Sequence, residues 1–303
     1  MKRVLLLSLF VLLASAVTVS AQSISDGTLP HDGYERTYVV YVPASYDGTE
    51  PVPLVIALHG GGGFAENMAR TTDFNVAADE HGFIVAYPNG VGNGWNDGRT
   101  AILQIAIRQR VDDVGFLTEL IDELKAQYRI DRVYMTGISN GGMMTFRYAC
   151  AMADQLAGFM TVVANLPDPI YNTCAPSQPI PAVMVFGEAD PLMPFAGGIV
   201  GAGARRGDYG TVVSAEDTIS VWTAANGCAD ASERSALPDS VDDDAQVTLT
   251  TYADCAAPVQ VYRIANGGHG WPGDTSLRLR LTNNGIVTQD ISATELFIEA
   301  FGL

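Results

Sequence analysis

Apolar residues in this chain follow two spacings, and the alternation between them predicts the architecture. Leu54-Val55-Ile56-Ala57-Leu58 is an unbroken apolar run that stops at His59 and four glycines. Phe83-Ile84-Val85-Ala86-Tyr87 repeats the design and stops at Pro88-Asn89-Gly90. Runs of this length suit strands buried on both faces, which keep no polar side for solvent. Further strands are predicted over residues 37–42, 133–136, 159–163, 182–186 and 259–264.

Between residues 112 and 128 the spacing changes. Leu117, Leu120, Ile121, Leu124 and Tyr128 recur at helical intervals and form one apolar face. Asp112 and Asp113 stand at its start, where carboxylates favour the helix dipole. A second helix is predicted over 141–152. Ser214-Ala215-Glu216-Asp217 has the form of a capping box and Asn226-Gly227 that of a left-handed stop, which bounds a third helix. A closing helix spans 293–301. Buried strands alternating with amphipathic helices predict an α/β fold with a mostly parallel central sheet, helices on both faces, and a single domain. Residues 229–254, with Asp242-Asp243-Asp244, read as a solvated excursion, and His31 as part of a surface lead-in.

The first 21 residues stand apart. Lys2 and Arg3 precede an apolar stretch over 4–13 broken only by Ser8, and Val19-Ser20-Ala21 offers small residues for cleavage before Gln22. That is the pattern of a secretory signal peptide, and it is too short for a membrane anchor, which needs about 20 apolar residues. The expectation is export, to the periplasm or beyond the cell, with residues 22–303 as the single mature domain. Cys150, Cys174, Cys228 and Cys255 fit an oxidising compartment. Four cysteines allow three pairings; the two local ones are preferred because each closes a modest loop. No Cys-x-x-Cys or His-x-x-x-His spacing marks a metal site.

Charge narrows the function. The chain has 34 acidic against 17 basic residues, a formal net charge of −17. A field of that sign repels phosphates and anionic lipid, which argues against nucleic-acid and membrane-surface partners.

Gly137-Ile138-Ser139-Asn140-Gly141 lies between a predicted strand and helix. Glycines there permit a tight turn that lifts a serine hydroxyl above the sheet edge; the plainer alternative is a glycine turn with a capping serine. A nucleophilic serine needs a base, most often histidine, and of four histidines only His269 follows Ser139. His59 and His81 are assigned structural roles. Asp190 falls between Ser139 and His269, after the 182–186 strand, and is the candidate for orienting the imidazole, with Glu188 as its rival. Acyl transfer also needs donors for an oxyanion, and the backbone N–H groups of Gly61 and Asn140 are the candidates. Trp271, beside the base, and Trp95, in Gly94-Trp95-Asn96-Asp97, are candidate substrate-binding rings, with core packing as the alternative for each.

Taken together, residues 58–63 (LHGGGG), 137–144 (GISNGGMM), 187–194 (GEADPLMP), 222–228 (WTAANGC) and 267–273 (GGHGWPG) resemble the secreted polyhydroxybutyrate depolymerase and feruloyl esterase family, within the α/β-hydrolase superfamily. The resemblance runs from about Arg36 to the C-terminus. It implies the α/β-hydrolase fold and hydrolysis of carboxylic esters without metal or organic cofactor. It also implies Ser139 as nucleophile, His269 as base, Asp190 as its partner, Gly61 and Asn140 as oxyanion donors, and the pairings Cys150–Cys174 and Cys228–Cys255. The expected substrate is a small or polymer-attached ester. Feruloyl-type or short-acyl esters of plant-wall carbohydrate come first, and polyhydroxybutyrate or its oligomers are the alternative. A serine peptidase on the same fold is the alternative from another class. A non-catalytic scaffold is disfavoured because all three triad residues are present. Gly270, where the family usually has threonine, and the glycines after His59 imply a wide pocket mouth.

Overall fold

The apolar runs are strands lying side by side. The computed structural model describes residues 23–202, 208–230, 232–274 and 284–303. The leader expected over residues 1–21 lies outside them. The chain begins with β1 (Ser23–His31), β2 (Tyr34–Val42), β3 (Val52–Leu58), α1 (Ala65–Thr72), α2 (Phe74–His81) and β4 (Ile84–Pro88). It continues with α3 (Ile105–Arg108), α4 (Asp113–Gln127), β5 (Ile130–Ile138), α5 (Asn140–Ala151), β6 (Gly158–Val162), α6 (Asp168–Tyr171) and β7 (Ala182–Gly187). Last come β8 (Gly198–Ile199), β9 (Thr211–Val212), α7 (Ala215–Ala225), β10 (Ser232–Ala236), β11 (Gln246–Tyr252), β12 (Val259–Ala265) and α8 (Ala293–Phe301).

Among the described residues ten strands form one sheet, ordered β1-β2-β4-β3-β5-β6-β7-β12-β11-β10. The central strands, β4 through β12 in that order, are parallel. Antiparallel pairs close both edges. From β3 the chain steps outward to β4, then returns to place β5 on the other side of β3. The strand order therefore reverses between β3 and β5, and the crevice above the carboxyl ends at such a reversal is where open α/β sheets bind ligands.

Alternate residues of one strand feed two cores. Leu54, Ile56 and Leu58 pack with Phe116 and Leu120 of α4, Met144 of α5 and Trp222 of α7. Val55 and Ala57 face the other layer, with Met68 of α1, Phe74 of α2 and Phe297 of α8. That double burial is why β3 reads as a continuous apolar run. Cys150 is bonded to Cys174 and Cys228 to Cys255, at sequence separations of 24 and 27. Closing loops of this length stabilises by roughly 3 kcal/mol each on the chain-entropy account.

Three expectations are corrected. Residues 23–31 are not a lead-in but an edge strand paired along its length with β2. Within the expected excursion over 229–254, β10 and β11 extend the sheet, and Val247 is fully buried. Asp112 does cap α4, accepting from the Gly115 N–H at 3.0 Å. Asp113, however, is no exposed dipole charge: its carboxylate is buried against Arg36 of β2 at 2.7 Å.

His31 joins the edge strand to α4, facing Glu119 at 2.9 Å and Asp112 at 3.3 Å. Burial works against the charged ring, but the two carboxylates outweigh it and the His31 pKa is raised. A raised histidine pKa contributes stability that is complete below the unfolded value of about 6.5 and is lost as pH rises through the folded value. His31→Gln is therefore expected to lower the melting temperature at about pH 5.5 by more than at about pH 9. An equal loss at both pH values would show that the pair is not electrostatic.

Candidate active site

Ser139 occupies the turn from β5 into α5 with φ 56° and ψ −119°, a conformation that costs a non-glycine residue about 1–3 kcal/mol. Close packing holds it there. A Cβ at Gly137 would come within 2.5 Å of the Gly141 backbone, and one at Gly141 within 2.3 Å of the Leu58 carbonyl oxygen. Only glycines let α5 start this close to β3 and β5. The result is a half-buried serine raised above the switch point.

The neighbouring parallel strands β7 and β12 deliver the other two residues. Asp190 follows β7, and its Oδ1 accepts from the backbone N–H groups of Leu192 at 2.7 Å and Met193 at 2.8 Å. Oδ2 accepts from His269 Nδ1 at 2.6 Å, with the carboxylate 1% exposed. Donation through Nδ1 leaves Nε2 as the proton-accepting nitrogen of the neutral ring. The His269 backbone is pinned as well: its N–H donates to the Asn284 carbonyl at 2.6 Å, and that of Gly268 to Ile286 at 2.6 Å. Glu188 is exposed and has no part in this arrangement.

The glycine loop after β3 completes the rim. The N–H groups of Gly62 and Gly63 are taken by the carbonyls of Asn93 at 2.6 Å and Gly60 at 2.9 Å. The Gly61 N–H has no acceptor among the described residues. Asn140 opens α5, so its N–H has no intrahelical acceptor either. A Cβ at Gly61 would lie 3.7 Å from that of Asn140, so the two residues are neighbours. His59 is not a base. Its Nδ1 donates to the Gly60 carbonyl at 2.8 Å and its Nε2 accepts from the Gly90 N–H at 3.0 Å. Burial, with the nearby Arg36 charge adding to it against the Gly60 hydrogen bond, pushes its pKa down to about 4. It stays neutral and braces the loop.

Both tryptophans are corrected. Trp95 is fully buried; its indole N–H donates to the His59 carbonyl at 2.9 Å and its ring lies 5.0 Å from the His59 ring. Trp271 is 1% exposed, with its N–H on Thr294 Oγ1 at 3.2 Å and its ring edge-on to Phe74 at 6.0 Å. It borders the pocket, but the ring belongs to the core. Neither offers a free aromatic face.

Sequence reasoning missed the support behind Asn140. Its side-chain Oδ1 accepts from the Trp95 N–H at 2.8 Å, and its Nδ2 donates to the Trp95 carbonyl at 3.1 Å and to Asp97 Oδ2 at 2.6 Å. Asp97 is clasped by Arg99 through Nε at 3.0 Å and Nη2 at 2.8 Å, with both side chains buried. The only signal in the sequence is an acid and a base two residues apart in the loop Asn96-Asp97-Gly98-Arg99. Loop pairs of that kind are usually solvated.

Ser139, His269, Gly61 and Asn140 line one pocket of about 320 Å³, at the small end of ligand-sized cavities. Its walls include Met68, Ile138, Met143, Leu192 and Val200. Among the described residues no cluster of His, Cys, Asp and Glu could hold a metal ion.

A ten-stranded, mostly parallel sheet with this turn, pocket and acid–histidine pair defines an α/β-hydrolase. The family described as Esterase PHB depolymerase matches residues 36–164. The putative esterase NocK of Nocardia uniformis subsp. tsuyamanensis is 34% identical over 257 residues, covering 80% of this chain and 72% of that protein. Feruloyl esterase B of Piromyces equi is 28% identical over 201 residues, 64% of this chain but 36% of that protein's length. Among solved structures, acetyl xylan esterase from Aspergillus awamori superposes with a TM-score of 0.60 at 15% identity, over 92% of this chain and 99% of that one. That likeness is one of fold. The chain belongs to the PHB-depolymerase esterase family and is a carboxylic-ester hydrolase.

Proposed function

We propose that this esterase is exported and cleaves feruloyl-type or short-acyl esters of plant-wall carbohydrate. Ser139 is the nucleophile, His269 the base and Asp190 the residue that orients it. The observation that carries the mechanism is the convergence on one pocket of a strained serine and a histidine whose Nδ1 is held by a buried carboxylate at 2.6 Å. In the reaction, Ser139 Oγ attacks the ester carbonyl as His269 Nε2 takes its proton. The oxyanion is held by the N–H groups of Gly61 and Asn140. Collapse breaks the bond to the alcohol, which leaves with the proton from His269. Water then attacks the acyl-enzyme through the same base and releases the acid.

Names among the relatives support the substrate class. One is a feruloyl esterase B, another a probable feruloyl esterase C from Aspergillus niger, and a third a bifunctional acetylxylan esterase/xylanase from Neocallimastix patriciarum. The family description favours a second reading, depolymerisation of hydroxybutyrate oligomers. Export is supported by the two disulfides and by the leader pattern over residues 1–21, with no helix among the described residues long and apolar enough to cross a membrane.

A panel of methyl ferulate, nitrophenyl acetate and butyrate, and hydroxybutyrate trimer separates the substrates. The expected kcat/KM on ferulate or acetate exceeds that on the trimer by at least about tenfold, roughly 1.4 kcal/mol of transition-state discrimination. The reverse order assigns the enzyme to hydroxybutyrate esters. A fluorophosphonate reagent should label Ser139 stoichiometrically, and labelling elsewhere removes the nucleophile assignment.

A further inference from the structure

Gln104 precedes α3 among exposed apolar neighbours, Ile102, Leu103 and Ile105, yet its own side chain turns inward and lines the pocket. Its carboxamide has a definite orientation. Arg99 Nη2 lies 3.3 Å from Gln104 Oε1, and a guanidinium can only donate, so the oxygen end must face Arg99. The Oε1 end lies 3.9 Å from where a Cβ on Gly94 would stand, while Nε2 lies 3.1 Å from where one on Gly61 would stand. The –NH2 group therefore sits beside Gly61, which lines the pocket next to Asn140. Neither of its protons has an acceptor among the described residues.

Resting on the assignment of Ser139, Gly61 and Asn140 given above, we infer that Gln104 is a third oxyanion-hole donor, a catalytic residue whose Nε2–H hydrogen-bonds the oxygen of the scissile carbonyl. Its bond to that oxygen strengthens as the carbonyl becomes an oxyanion, so the gain falls on the transition state rather than on substrate binding. The donor is in place before substrate arrives. Arg99 holds the Gln104 oxygen and is itself clasped by Asp97, whose Oδ2 also takes the Asn140 side chain at 2.6 Å. One buried ion pair thus positions two donors that belong to separate stretches of chain. Preorganisation of this kind is what makes a donor effective, since no dipole need reorient during reaction.

Two variants separate a donor from a brace. Gln104→Glu keeps an oxygen for Arg99 but loses the N–H donors; Gln104→Met loses both. With a nitrophenyl ester, both are expected to lower kcat by on the order of 100-fold, as for other oxyanion donors, with KM changed by less than about threefold. Affinity for a boronic acid, which mimics the tetrahedral species, should fall in parallel with kcat/KM. Activity in the Glu variant close to wild type, with loss only in the Met variant, overturns the inference and makes Gln104 a brace for Arg99. A kcat within about twofold of wild type in both also overturns it. Fluorophosphonate labelling of Ser139 in the wild-type enzyme reports on the nucleophile independently. If labelling fails, the underlying assignment falls; if labelling succeeds and the Gln104 variants are unimpaired, only the third donor falls.

Discussion

Ser139→Ala is expected to lower kcat on any ester the enzyme accepts by about a million-fold, because in the proposed mechanism nucleophile, base and orienting acid act as a unit. The residual rate should still exceed that of the reaction in water, since the pocket and the Gly61 and Asn140 N–H groups remain to hold substrate and oxyanion. Stability should barely change. Ser139 is held at φ 56° and ψ −119°, and alanine cannot relieve that conformation. The hydroxyl, however, makes no hydrogen bond among the described residues, so removing it costs the fold little. Steady-state kinetics on nitrophenyl acetate with a melting curve of the same preparation checks both parts. A variant that folds normally and keeps more than about a thousandth of the activity would place the nucleophile elsewhere.

The largest expected loss of stability comes from the buried ion pair between β2 and α4. Arg36→Met should destabilise the protein by about 3–5 kcal/mol, because it strands the Asp113 carboxylate in the core. Both side chains are at most 1% exposed and meet at 2.7 Å, with the Arg36 guanidinium stacked 3.8 Å over the Phe116 ring. Burial raises the Asp113 pKa against the pull of Arg36, and it lowers that of Arg36 against the pull of Asp113. With Arg36 gone, the Asn96 N–H at 2.6 Å and the more distant Arg147 charge are what remain to Asp113. The sign with pH follows. A carboxylate whose folded pKa lies above its unfolded value destabilises once pH rises past the unfolded value, about 3.9. The defect in Arg36→Met should therefore shrink on acidification as Asp113 takes a proton. Pairing it with Asp113→Leu should recover much of the loss, since apolar replacements of a buried pair are often neutral. Urea unfolding of the single and double variants at two pH values measures all three effects. A loss below about 1 kcal/mol in the single variant would show that the pair is solvated.

Much of the fold was legible because the central strands are buried on both faces. In β3, β4, β6 and β7 nearly every residue is apolar, and a run of that kind has few alternatives. Helix α4 announced itself by helical spacing and α7 by its capping box, and Ser214 accepts the Asp217 N–H as that box predicts. The edge strands were not legible. β1 and β10 keep most residues exposed, so neither face carries an apolar signal, and hydrogen bonding to β2 and β11 alone makes them strands.

At the site, residues that chemistry makes scarce could be found in advance. A glycine-flanked serine, one histidine after it and an acid just past the 182–186 strand leave few combinations, because the turn and the order along the sheet edge restrict the choice. Side chains whose role depends on which way they point could not. Trp95 and Trp271 carry the same indole whether it walls a pocket or fills a core, and packing sent both to the core. Asp97, Arg99 and Gln104 look like ordinary loop residues until α5 begins beside them and buries two of the three. Local pattern is written into neighbouring residues through spacing and backbone sterics; partnership between distant residues exists only once the sheet has brought their loops to the same rim.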